Sequence, residues 1–182
     1  MNTKTKKILL FEYLVYRLIE WYKDYASNQQ SINNHFSRLT TLKLLFFVST
    51  IKDAENENRD LLDIFDSFCA MQYGPVEIDI YTAIVNGETT LYTFGVHELV
   101  QTTQDYSIFD SLDLQCKRRI EKAILLLKEK NPKIVSYPAS LLIDISHKWD
   151  AWQDAMSIAS MLGRRSENMS INSIRENRQF YE

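Results

Sequence analysis
The chain has 182 residues, 25% of them charged, with a formal net charge of −3; this bounds it to one globular domain long enough to bury an ordinary core. The mildly acidic balance provides no basic field for a phosphate backbone, although MNTKTKK forms a small basic arm. Its two cysteines, Cys69 and Cys116, lie far apart inside apolar runs, so neither a disulfide framework, a zinc site nor any other metal or cofactor is expected.

The first apolar run, ILLFEYLVYRLIEWY, is interrupted by Glu12, Arg17 and Glu20 and lacks a small-residue cleavage site. It reads as neither a signal segment nor a membrane span, and the protein is expected to be cytoplasmic. Phe11, Leu14, Val15, Leu18, Tyr22 and Tyr25 recur at helical spacing, which predicts a surface helix with one docked face. The polar stretch SNQQSINN separates it from LTTLKLLFFVSTI, a central helix that Ser37 or Thr40 can cap. IKDAENENRD reads as a solvated loop. Leu61, Ile64, Phe65, Phe68 and Cys69 then resume helical spacing, with Asp60, Asp63 and Asp66 on the opposite side.

The stretch QYGPVEIDIY falls where two helices would meet. Gly74 can end the first and Pro75 can open the second. Glu77 and Asp79 then lie in the first turn, where the helix dipole favours negative charge. Val76, Ile80 and Ile84 continue the core spacing to the stop signal Asn86-Gly87. ETTLYTFGVHELVQ is richer in β-branched and aromatic residues and predicts a short strand or hairpin near residues 89–97. A long helix follows from Leu112 to Leu127, stopping before Asn131-Pro132. SYPASLLIDISHKW, with Ser136 as its cap, and DAWQDAMSIASML, capped by Asp150 and closed by Gly163, predict two more. Residues 163–182 form a C-terminal helix or a tail. The expected fold is mainly α, a compact single domain over 1–182 with about six to eight helices and one short β-hairpin.

Chemical motifs are sparse. The chain contains no Gly-rich phosphate cradle, no His-Glu-x-x-His and no Gly-x-Ser-x-Gly. His35 sits in a polar linker and His97 beside the predicted strand, while His147 ends a helix near Trp149 and Trp152. Both thiols fall on core faces, unsuited to nucleophilic catalysis. Glu77 and Asp79, two apart on a helix, do not face one another. No catalytic residue is assigned.

Three passages in order, LTTLKLLFFVS, FCAMQYGPVEIDIY and LLIDISHKWDAWQDA, resemble the Panacea domain family, which includes SocA-like antitoxins and phage-associated proteins. The resemblance rests on Lys43, Leu44 and Leu45, on Tyr73, Gly74, Pro75 and Val76, and on His147 and Trp152. It spans about residues 38–160. Ser146 stands where the family has Thr, and Ala151 where it has Pro before Trp.

This resemblance implies a non-enzymatic antitoxin that binds and neutralises a cognate protein toxin, directly or as an adaptor delivering it to a protease complex. It also implies that Lys43, Tyr73, Gly74, Pro75, Val76, His147 and Trp152 form one cluster, a structural keystone or a partner-binding pocket. In the keystone form, His147 hydrogen-bonds near the Gly-Pro joint, Trp152 packs over it and Tyr73 belongs to the same group. The alternatives are a DNA-binding autoregulator using Lys4, Lys6, Lys7, Arg164 and Arg165, although nucleic acid is not the expected partner, and an enzyme resting on His147 alone.

Overall fold
The computed structural model describes residues 3–52, 60–176 and 178–182; the loop expected over 51–60 lies, apart from its ends, outside the described residues. The fold is mainly helical: α1 (Thr3–Tyr22), α2 (Gln29–His35), α3 (Arg38–Thr50), α4 (Ile78–Val85), α5 (Leu114–Lys130), α6 (Ala139–His147), α7 (Asp150–Met161) and α8 (Ile171–Glu176). The strands are short: β1 (Phe68–Met71), β2 (Gly74–Glu77), β3 (Tyr92–Phe94), β4 (Leu99–Gln101) and β5 (Glu167–Asn168). No described helix is long and apolar enough to cross a membrane.

The core is organised around α3. Ser37 accepts from the Thr40 N–H and caps it, and every residue from Thr40 to Thr50 is buried. An apolar helix that is buried all round must be covered on every side; here α5, α6, α1 and β2 supply the cover. Helix α1 is buried well beyond one face, taking in Ile8, Tyr13, Ile19 and Trp21 as well as the expected stripe, because α3, α4 and α5 all pack on it. Tyr25 lies beyond its end and is exposed. SNQQSINN is not a linker: Asn28 accepts from Ser31 N and starts the short helix α2.

The largest departure concerns residues 61–77. These do not form one helix ending at Gly74 and a second beginning at Pro75. They make turns, then β1 and β2 as an antiparallel hairpin pairing Phe68 with Glu77 and Met71 with Gly74. β5 joins the other side of β1, giving the order β2-β1-β5. Both faces of β1 are covered, so Phe68, Cys69 and Ala70 are all buried and no alternation marks the strand. Pro75, which has no N–H, is tolerated because β2 is an edge strand. Gly74 adopts φ +91°, a positive angle confined to glycines among the described residues.

Other expectations agree with the fold. Asp79 lies in the first turn of α4 as expected, whereas Glu77 ends β2 and is the N-cap, accepting from Ile80 N, because the helix begins at Ile78 and not at Pro75. The hairpin β3–β4 is present, with Gly95 N donating to Glu98 O at 2.7 Å. It is tied to α1 by buried Glu12, whose Oε1 accepts the N–H groups of Thr90, Leu91 and Tyr92. Ser136, however, sits in a 3₁₀ turn and does not cap α6, whose N-cap is Pro138; Trp149, not Asp150, is the N-cap of α7. The carboxyl end is docked through β5, α8 and buried Tyr181.

Candidate functional site
Lys43 projects from the middle of α3 and is fully buried. Its Nζ donates to the Pro75 carbonyl at 2.6 Å. The outward edge of β2 thereby gains a side-chain donor where no further strand pairs with it among the described residues. The amine has no ion pair among the described residues, and burial lowers its pKa to about 7. Gly74 lies directly against it. A Cβ at Gly74 would run into Ser146 Oγ and sit 3.0 Å from Lys43 Nζ, so the absent side chain makes room for the lysine.

Helices α6 and α7 close this site from the other side. Ser146 is buried and its hydroxyl donates to Ile143 O at 2.8 Å. The His147 ring stacks on Trp152 with centroids 3.8 Å apart and planes 12° from parallel. Trp152 Nε1 donates to Met71 O at 3.0 Å, fixing the end of β1. Burial lowers the His147 pKa and the nearby Lys43 charge lowers it further, opposed by Asp144 and the Gln72 main chain. Its Nε2 is buried and has no hydrogen-bond partner among the described residues.

The hairpin thus meets the His-to-Trp segment in space, with one correction to the expected keystone. His147 stacks on Trp152 and bonds the Gln72 main chain in the hairpin turn, while its Nε2 has no hydrogen-bond partner among the described residues. Tyr73 does not pack into the cluster: it occupies the hairpin turn with 58% of its surface exposed, since a two-residue turn points its side chains away from the strands' support. Val76 is buried beside Pro75. Compared with protein-family models, with curated proteins and with solved structures, the chain gives no match.

A second polar cluster lies at the start of α1. Lys7 Nζ reaches Glu77 at 2.5 Å, Asp79 at 2.6 Å and Asp66 at 2.8 Å. The three carboxylates offer oxygens within 4.8 Å of one another, the spacing of a cation site, and the ammonium fills that position. Burial alone would lower the Lys7 pKa, but the three carboxylates together raise it. Burial pushes Glu77 up, against the pull of Lys7 and the Ile80 N–H, while Lys7 draws Asp79 down. This is the cap of α4 joined to α1, and the arm that looked basic in sequence is in part neutralised here. The pairing of residues so distant in sequence has no local signal.

The remaining candidates are dispersed. His35 Nε2 lies 2.6 Å from Val135 O and its ring stacks on Tyr22 at 4.1 Å. His97 is exposed. Cys69 is buried and burial raises its thiol pKa, and Cys116 is half-buried, packed against the core. The most deeply buried tryptophan is Trp149, whose Nε1 donates to Phe180 O at 2.6 Å. Composition could flag its size but not its partner.

Proposed function
We propose that this protein is a non-enzymatic, antitoxin-like binding module that neutralises a cognate protein toxin by direct contact. The observation carrying this reading is the exposed Tyr73 at the turn of a hairpin held from beneath by Lys43 and Trp152. A fixed, exposed aromatic is suited to anchor an interface, because it brings a large contact area at little entropic cost. The ordered resemblance to the Panacea domain supplies the class of partner, and the meeting of its motifs at one hairpin supports it. Lys43, Gly74, His147 and Trp152 then act as the support, while Tyr73 and its surroundings act as the contact.

A protein partner is favoured over DNA by the pairing of the basic residues. Lys7 is held by three carboxylates, Lys4 lies 2.6 Å from Glu88, and Arg164 lies 3.1 Å from Glu167. Such cations release fewer counterions on meeting phosphate. The reading is tested by co-expressing the chain with the product of the neighbouring reading frame. Growth rescue and copurification are expected, and Tyr73→Ala should weaken both without moving the melting temperature. A neighbour that is harmless alone and does not copurify would overturn it.

A further inference from the structure
We propose that the groove beside Tyr73 is a docking site for a short partner segment carrying an apolar side chain next to a carboxylate. This rests on the binding-module reading above and names the chemistry of the contact. The groove encloses about 390 Å³ between the first turns of α3, the β1–β2 hairpin, α4 and the β3–β4 turn, within the size range of side-chain-binding pockets. Leu42, Met71 and Val76 make it apolar, and Tyr73 and Val96 stand exposed along it. Apolar surface in a concave site takes an apolar occupant, since burying it on both partners removes water from each.

The charge on this groove is single-signed. Arg38 is the one charged residue among the described residues that line it. The guanidinium lies 5.6 Å from the centroid of the Tyr81 ring and has no ion pair among the described residues. A guanidinium over an aromatic face without an ion pair keeps its N–H fork available to a carboxylate. The surrounding segments are already fixed: Arg38 N donates to Gly95 O at 2.9 Å, Lys43 to Pro75 O, and Trp152 to Met71 O. An occupant therefore meets a formed site, and little ordering opposes its binding.

Panning a phage-displayed random peptide library on the full chain tests this. Enriched peptides should carry an aromatic or aliphatic residue adjacent to Asp or Glu. A fluorescein-labelled enriched peptide should lose at least about tenfold in affinity in Arg38→Glu and in Val96→Glu, the latter at an exposed position that folding does not depend on. Enrichment of cationic peptides, or equal binding by both variants, overturns the proposal, as does failure to enrich any peptide over the Arg38→Glu protein. The two readings fail separately. Peptide binding of this kind without toxin rescue leaves the groove and removes the toxin, whereas rescue unchanged in Arg38→Glu removes the groove and leaves the toxin-binding module.

Discussion

At the scale of single residues, Lys43 couples the fold to pH. Its folded pKa of about 7 lies below the 10.5 of the free side chain, so between those values the unfolded chain holds more protons than the folded one. Stability therefore rises with pH across that window and is lowest below pH 7, where folding must bury an ammonium. From pH 7 to pH 9 the gain should be about 2 kcal/mol. Urea titrations of the wild type and Lys43→Met at both pH values isolate it: the variant should lack this increment, and an identical pH dependence in the two would show that Lys43 stays charged when folded. Lys7 is the contrasting case, a lysine kept protonated by three carboxylates. The same residue type takes opposite directions because one site supplies a single neutral acceptor and the other supplies charge.

At the scale of elements, the β1–β2 hairpin depends on Gly74 for two separate reasons, its φ of +91° and the space taken by Ser146 and Lys43. Gly87 shares only the first, with φ +67° and no described atom within 4 Å of where a Cβ would lie. Gly87→Ala should cost about 1 to 2 kcal/mol from backbone strain. Gly74→Ala adds overpacking and should cost about 2 to 5 kcal/mol. Chemical denaturation of the two variants side by side checks the difference, and equal costs would mean that the cluster gives way freely. The helical spacing misleads because Leu61, Ile64 and Phe65 lie in turns, where Phe65 N donates to Leu61 O as in one helical turn, and Phe68 and Cys69 lie in a strand buried on both faces, which shows no period of two. Gly-Pro likewise reads as a helix joint when its place on an edge strand is unknown. The cap at Ser37, by contrast, is a local device and is legible from spacing.

At the scale of the whole molecule, the carboxyl end closes the core. Tyr181 packs against Trp149 and Phe47, its backbone carbonyl accepts from Asn131 Nδ2 at 2.7 Å, and Phe180 O accepts from Trp149 Nε1. Arg175 pairs with buried Asp60 at 2.8 Å and joins α8 to the start of the 60–65 turns. Deleting residues 178–182 should leave a ring-sized void, leave Trp149 Nε1 unpaired and remove the shorter of the two Asn131 Nδ2 bonds, a loss of about 3 to 5 kcal/mol. The shift in urea midpoint reads it; a loss under about 1 kcal/mol would show that the end is peripheral to the fold. A polar tail with a few apolar residues does not reveal docking of this kind, since the surfaces it fills are made by α3, α5 and α7.

Sequence by itself determined the mainly helical class, the central place of α3, the stop at Asn86-Gly87 and the hairpin around Gly95, because periodicity, capping and glycine conformation act over a few residues. The family resemblance grouped Lys43, Tyr73, Gly74, Pro75, Val76, His147 and Trp152, of which Tyr73 faces outward. Tertiary structure alone decided that Gly74 and Pro75 enter a strand, that Tyr73 faces outward, that Lys7 answers three carboxylates and that Arg38 stands beside an apolar groove with no ion pair among the described residues. Those outcomes depend on burial and on charges brought together from positions as far apart as Lys7 and Asp79, and desolvation is a property of the packed neighbourhood that no local stretch of chain contains.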